Sequence, residues 1–165
     1  MPTMLVFTEG TLLMQASGQN MTREERVRQS ASESDDVKDF SSYVPIGKAV
    51  QKLIGWKRQG VTIYYLTSRT TPKEIAEVHD VLLRYNFPDA GNLLSRMGSQ
   101  TYSDVAKELM PDILIEDDCE SIGGEKEKTY PHIKPEVQKQ IHSIVVKEFE
   151  GIDHLPNVVE ELMKT

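Results

Sequence analysis

Buried strands alternate with amphipathic helices along this chain, and this alternation is the feature that most restricts its fold. Short apolar or β-branched runs predict strands at 4–7, 61–66, 92–97, 112–115 and 143–146. Apolar residues at helical spacing predict helices over 46–54, 72–85, 103–110 and 136–141, between the strands, and over 158–163, after the last strand. Strands separated by helices of this length form βαβ units. The sequence therefore predicts an α/β three-layer sandwich, with a five-stranded, Rossmann-like parallel sheet between two helical layers.

The size and charge of the chain restrict its function. Its 165 residues fit one domain. A net charge of −7 argues against a face that grips nucleic acid or an anionic membrane. The single cysteine, Cys119, excludes an intrachain disulfide and a cysteine-based zinc cluster. No apolar run has membrane-spanning length and the first residues lack a secretory signal pattern, so the cytoplasm is the expected location.

The residues that follow the predicted strands are the candidates for a functional site, because ligands of parallel α/β sheets bind at the carboxyl ends of the strands. These residues are Thr8-Glu9-Gly10-Thr11, Thr67-Ser68-Arg69 and Glu116-Asp117-Asp118. Thr67 and Ser68 offer hydroxyls and backbone N–H groups near a helix start, which suits an anion. A simple cap for the following helix is the alternative interpretation of these two residues.

The acidic segment Glu116-Asp117-Asp118 ends an apolar strand. Three adjacent carboxylates are costly unless they are solvated, protonated or neutralised by a cation. Oxygen ligands of this kind suit Mg²⁺, which usually binds one or two carboxylates, waters and a substrate phosphate. An acidic turn in water is the alternative. A cation site and an anion site at one sheet edge would together indicate phosphate chemistry.

A polar segment over 22–39 interrupts the alternation of strands and helices. Thr22 and Glu25 form a capping-box pattern, which predicts that a short exposed helix begins there. The segment is either a flap over the active site or a solvated insertion, and the sequence leaves both open.

The order of these motifs resembles the haloacid dehalogenase-like (HAD-like) superfamily, whose members are mostly Mg²⁺-dependent phosphatases and phosphotransferases. "VFTEGTLL" resembles its first motif, "IYYLTSR" its second and "ILIEDD" its fourth. Residues 14–44 fall where the family inserts a small cap, within a single domain over 1–165. The family's strand order would place the strand at Met4 between those at Val61 and Ile113.

The resemblance also implies roles for particular residues. Phosphate would contact the residues of the first two motifs, Gly10, Thr11, Thr67, Ser68 and Arg69. The expected cofactor is weakly bound Mg²⁺, held by Asp117 and Asp118 with Glu9 contributing its backbone carbonyl. The expected partner is a phosphorylated small molecule, and neither a membrane nor nucleic acid.

The first motif departs from the family where the chemistry begins. Glu9 takes the position of the general acid/base, and Phe7 takes that of the nucleophilic aspartate. If a residue has been deleted, Thr8 is the nearest replacement, and neither Phe7 nor Thr8 offers a carboxylate for covalent attack. Successive side chains of an extended segment point to opposite faces, which predicts that Glu9 is badly placed to take the Thr8 proton unless the chain turns sharply at Gly10.

The family's third motif, a basic residue near the helix before the fourth strand, is not matched by one residue alone. Tyr102 and Ser103 lie near the start of that helix, Lys107 about one turn later, and Arg96 before it. Three hypotheses follow from these departures. The chain is a catalytically impaired member of the fold that binds a phosphorylated ligand or a partner, a divergent Mg²⁺-dependent phosphohydrolase that uses water or Thr8, or a noncatalytic interaction module.

Overall fold

A five-stranded parallel sheet forms the centre of the computed structural model, which describes residues 1–33 and 35–165. Seven strands occur along the described chain: β1 Thr3–Phe7, β2 Leu13–Met14, β3 Val44–Pro45, β4 Thr62–Leu66, β5 Leu93–Leu94, β6 Ile113–Asp117 and β7 His142–Val146. The central sheet has the order β5-β4-β1-β6-β7, and β2 pairs with β3 in a separate antiparallel ribbon.

Strand β1 lies at the middle of the sheet, as the family's strand order predicts. It pairs in parallel with β4, where Phe7 lies opposite Leu66, and with β6, where Val6 lies opposite Ile115. The carboxyl ends of these three strands therefore lie side by side. The loops that carry the candidate site residues start from one edge of the sheet.

Seven α-helices accompany the sheet: α1 Arg23–Ala31, α2 Asp35–Lys38, α3 Ala49–Arg58, α4 Pro72–Arg84, α5 Tyr102–Leu109, α6 Pro135–Gln138 and α7 Val159–Leu162. Side chains of β1 alternate between two cores, as a strand buried on both faces requires. Met4 and Val6 pack with α3, α4 and α7, whereas Leu5 packs with α5 and α6. The predicted three-layer sandwich is confirmed. Among the described residues, no helix is both long enough and apolar enough to cross a membrane.

The helix boundaries follow local signals in the sequence. Helix α4 begins with Pro72 in its first turn, and the Thr71 hydroxyl accepts a hydrogen bond from the Glu74 N–H. The capping box of Thr22 and Glu25 at the start of α1 is confirmed. Short 3₁₀ turns lie at Ala16–Gly18, Phe40–Ser42, Gly124–Glu127 and Tyr130–His132.

Two strands differ from their predicted lengths. The predicted strand over 92–97 forms only β5, because this edge strand has one neighbour and pairs with it at two positions. Strand β6 extends beyond Ile115 to include Glu116 and Asp117, since both residues pair with β7. The backbone hydrogen bonds of the sheet thus extend to two charged residues that were predicted to follow the strand.

Adjacent leucines on α4 test which face of this helix is buried. Leu82 is fully buried and Leu83 is about half exposed. We predict that Leu82→Ala lowers the free energy of unfolding by about 2–5 kcal/mol, because it leaves a cavity in the core. The matched change Leu83→Ala should cost less than about 0.5 kcal/mol. Urea denaturation of the two variants measures both values, and equal losses would contradict the assignment.

Candidate phosphate and metal site

The loop after β1 turns sharply as soon as the strand ends. The carbonyl of Thr8 accepts hydrogen bonds from the N–H groups of Leu12 and Leu13, both at 2.9 Å. Gly10 has φ +83°, a conformation that favours glycine, and a Cβ there would lie 2.9 Å from the Asp117 Oδ2. This glycine lets the β1 loop approach the β6 loop closely.

The Glu9 carboxylate is bound by donors from two loops. It accepts hydrogen bonds from the hydroxyls of Thr8 and Thr67, and from the Ser68 N–H at 3.2 Å. The Thr67 hydroxyl and the Ser68 N–H, which we call the anion cradle, are the groups that the sequence predicts for phosphate. In this structure they hold a carboxylate of the same chain.

Glu9 and Thr8 do not point apart, because the exception that the sequence allowed, a sharp turn at Gly10, occurs. Strand β1 ends at Phe7, and the turn at Gly10 brings the Thr8 hydroxyl onto the Glu9 carboxylate. Thr8 is nevertheless fully buried. Its hydroxyl also lies 3.5 Å from the Leu66 carbonyl. The contact supplies a base beside Thr8, but the hydroxyl has no open approach to a substrate.

Phe7 packs against the first residue of α5. Its ring meets that of Tyr102 edge-to-face, with ring centroids 5.1 Å apart. The guanidinium of Arg96 in turn lies 4.2 Å above the Tyr102 ring. Phe7 therefore belongs to a stack of aromatic and cationic groups at the position that the resemblance assigns to a nucleophile.

Two arginines flank the anion cradle. Arg96 donates from Nη2 to the Ser68 carbonyl at 3.3 Å, and Arg69 lies 4.4 Å above the Phe40 ring. Stacking on an aromatic ring holds a guanidinium in place by a cation–π attraction. Lys107 instead lines a separate groove beside Leu94. Arg96, rather than Lys107, is thus the third-motif candidate that the fold brings to the site.

Three carboxylates form a second group, the acid cluster of Asp117, Asp118 and Glu148. Oxygens of all three lie within 4.8 Å of one another. Glu148 was not predicted. It follows β7, and the rule that ligands bind after parallel strands would have found it had that strand end been considered.

Glu116 lies apart from the acid cluster, which corrects the expectation of three acids at one point. Its buried carboxylate accepts hydrogen bonds from the Thr129 N–H at 2.6 Å and the Tyr130 N–H at 3.0 Å. Because side chains alternate along a strand, Glu116 and Asp117 face opposite sides of the sheet. Glu116 anchors the following loop.

Burial dominates the electrostatics of the acid cluster. Loss of solvation raises the pKa of Asp117 to about 6, although hydrogen bonds from the Cys119 N–H and the Thr11 hydroxyl oppose the shift. Burial also raises the pKa of Glu148, against hydrogen bonds from Ser121. Hard carboxylate oxygens around one point fit Mg²⁺, which would offset the cost of burying like charges.

The Glu9 side chain is not part of the acid cluster, because its carboxylate is bound at the anion cradle. That the Glu9 backbone carbonyl contributes to a metal site stays a prediction. The Thr11 hydroxyl donates to Asp117 at 2.9 Å, and its predicted contact with phosphate stays a prediction. Thr11 supports the acid cluster in this structure.

One cavity of about 400 Å³ adjoins both groups. Its walls include Glu9 and Ser68 from the anion side, and Asp117 and Glu148 from the acidic side. Six residues of the predicted cap region also line it: Ser30, Glu33, Val37, Lys38, Phe40 and Tyr43.

Helix α1 is tied to the acidic loop. Arg23 pairs with Glu120 and lies 3.9 Å from the Asp118 carboxylate. The hydroxyls of Ser30 and Ser121 lie 3.2 Å apart. The assignment of 14–44 as a cap stays a prediction, which these contacts support.

The chain is similar to two solved structures of the class C acid phosphatase from Bacillus anthracis. The structure with tungstate bound has a TM-score of 0.58 at 16% identity, covering 91% of this chain and 68% of that one. The other has a TM-score of 0.57 at 15% identity, covering 99% and 77%. The chain shares the fold of these two structures. Identities this low show the fold alone.

A third solved structure is less similar to the chain. A HAD family hydrolase from Deinococcus radiodurans R1, with bound phosphate and sodium, aligns with 90% of this chain and 91% of its own at 10% identity. Its TM-score of 0.43 is too low to carry an argument. No protein-family model and no curated protein sequence matches the chain.

Magnesium titration tests the acid cluster. We predict weak Mg²⁺ binding that Asp117→Asn, Asp118→Asn and Glu148→Gln each weaken at least about tenfold, because two unit charges 4 Å apart attract by about 1 kcal/mol even in water and a divalent ion doubles this. Isothermal titration calorimetry measures the affinities. Glu150→Gln, which neutralises an exposed acid near Glu148, is the matched control. Equal affinity in all five proteins would exclude the site.

Proposed function

We propose that this chain is a catalytically impaired HAD-like protein that binds a phosphorylated small molecule together with Mg²⁺. The observation that carries the proposal is the division of one cavity into an anion side and an acidic side. Ser68, Arg69 and Arg96 line the first side, and Asp117 and Glu148 line the second. The similarity to class C acid phosphatases, one with tungstate bound, supports an oxyanion as the ligand.

The charges on the two sides suit a metal-bound phosphoryl group. A phosphoryl oxygen can accept from the Thr67 hydroxyl and the Ser68 N–H while the arginines balance its charge. Asp117, Asp118 and Glu148 would hold Mg²⁺, which supplies charge neutralisation to the phosphate when bound. The cavity volume of about 400 Å³ is in the range of small-molecule sites.

The proposed impairment follows from the residues at the end of β1. Phe7 has a hydrocarbon ring and so no lone pair with which to attack phosphorus. Thr8 has a hydroxyl, but this residue is fully buried, and its hydroxyl contacts the Glu9 carboxylate and the Leu66 carbonyl. The site could still orient a phosphate, but it lacks the group that forms a covalent phosphoenzyme.

A divergent Mg²⁺-dependent phosphohydrolase is the second candidate. The hydrogen bond from the Thr8 hydroxyl to Glu9 favours it, because a nucleophile and a base are then in contact. In this alternative Glu9 acts as the general base for Thr8 or for a water molecule.

Phosphate binding tests the proposed ligand. We predict that Arg96→Gln weakens the binding of inorganic phosphate in the presence of Mg²⁺ by roughly tenfold or more, because hydrogen bonds to charged groups contribute about 1.5–3 kcal/mol. Arg58→Gln is the control, since Arg58 is exposed on α3 and does not line the cavity. Equilibrium dialysis with labelled phosphate gives both affinities. Equal affinity in the two variants would argue against the anion side.

Restoring a carboxylate at position 7 tests the proposed impairment. We predict negligible wild-type hydrolysis of a generic phosphomonoester, and a rise in Phe7→Asp because the new carboxylate supplies the nucleophile that the proposed site lacks. Phe7→Asn is the matched control, because asparagine has nearly the same size as aspartate and no nucleophilic carboxylate. Steady-state assays measure the rates, and circular dichroism checks that each variant folds.

An active wild-type protein would instead support the divergent phosphohydrolase. Wild-type turnover at ordinary enzyme rates of roughly 1–10³ s⁻¹, lost in Glu9→Gln, would replace the impaired binder by the divergent hydrolase. Trapping of a beryllium fluoride adduct on Thr8 would lead to the same conclusion.

A further inference from the structure

The Glu9 carboxylate occupies the hydrogen bonds that a phosphoryl group needs. One carboxylate oxygen accepts from the Thr67 hydroxyl, and the other accepts from the Ser68 N–H and the Thr8 hydroxyl. Thr67 is fully buried in this arrangement. The anion cradle is therefore filled by an anion of the chain itself.

A phosphoryl group and Glu9 compete for these donors. A threonine hydroxyl has one hydrogen, and a backbone amide has one hydrogen. Neither can be given in full to two acceptors at once. The two anions also repel each other, and this repulsion grows in a partly buried site where solvent screens charge poorly.

We infer that Glu9 is a built-in competitor that lowers the affinity of the anion cradle for phosphate. This inference rests on the proposed function and concerns the regulation of the same site. A phosphorylated ligand binds when the carboxylate withdraws from Thr67 and Ser68. Because Glu9 lines the cavity of about 400 Å³, open space adjoins the displaced side chain.

The resulting affinity depends on how often the cradle is open. When only a fraction of the molecules is competent to bind, the apparent dissociation constant rises by the inverse of that fraction. Three hydrogen bonds favour the closed state, so the open fraction is small. Removal of the carboxylate should therefore strengthen phosphate binding by about tenfold or more.

A set of four variants tests the inference with inorganic phosphate as the probe. Affinity is measured by equilibrium dialysis, with and without Mg²⁺, for Glu9→Ala, Thr67→Val, the double variant and Glu127→Ala. Glu127 is a matched control, because it is an acid that lines the same cavity and forms none of the cradle's hydrogen bonds. It separates competition at the cradle from a general loss of negative charge.

The expected result is a gain of about tenfold or more in Glu9→Ala and a change of less than about twofold in Glu127→Ala. The gain should disappear in the double variant, because Thr67→Val removes the donor that the phosphate would take over. The Ser68 amide resonance should shift on phosphate addition in Glu9→Ala at lower phosphate concentrations than in the wild type. If Glu9 only stabilised the fold, its removal would not change the phosphate concentration at which the Ser68 resonance shifts.

Contrary results distinguish the inference from the proposed function. If the wild type binds phosphate and Glu9→Ala binds it equally or more weakly, Glu9 is no competitor and the inference fails while the proposed function stands. If neither protein binds phosphate at millimolar concentrations, both fail. Should Glu9→Ala not fold, Glu9→Gln takes its place: it keeps the side-chain length and loses the charge, and it should also bind phosphate more tightly than the wild type.

Discussion

The parallel pairing of β1 with both β4 and β6 is the constraint on which the rest of this structure depends. Parallel neighbours end at the same edge of a sheet, so the register that places Phe7 beside Leu66 and Val6 beside Ile115 also brings three loops together. The polar ends of these loops cannot enter the two apolar cores. They must form hydrogen bonds with one another or bind a ligand, since a buried polar group without a partner is costly.

The buried polar groups find their partners in different ways on the two sides of the site. Glu9 is satisfied by hydroxyl and amide donors of the β1 and β4 loops. The acid cluster has donors too, but it also places three carboxylates within 4.8 Å, and burial raises the pKa of Asp117 to about 6. The donors of the anion side are thus satisfied from within the chain, whereas a bound cation would offset the repulsion between carboxylates on the acidic side. This asymmetry is the physical reason to expect metal binding to be easier than phosphate binding.

The sequence predicted the layers and the centre of the sheet because hydrophobic periodicity is a local signal. It placed Asp117 and Asp118 correctly at a strand end, but it grouped Glu116 with them. The error arose because the strand was taken to end at Ile115, whereas pairing with β7 continues it and sends alternate side chains to opposite faces. Glu148 could have been found from its place after β7, as Asp117 was from its place on β6. The contact between Thr8 and Glu9, in contrast, depends on how the β1 loop folds back in space, and hydrophobic periodicity carries no signal for that.

Gly10 shows how closely the two sides of the site are connected. Its carbonyl accepts the Phe149 N–H at 2.8 Å, which joins the β1 loop to the β7 loop. A Cβ at this position would lie 2.9 Å from the Asp117 carboxylate and 3.3 Å from the Glu148 Cγ. The same residue permits the turn that carries Glu9 onto Thr67. Any movement of this loop that withdraws Glu9 from the anion cradle therefore acts on a backbone in contact with the acid cluster. A cation bound at Asp117 and Glu148 and an anion bound at Thr67 and Ser68 would therefore both lie beside the main chain at Gly10.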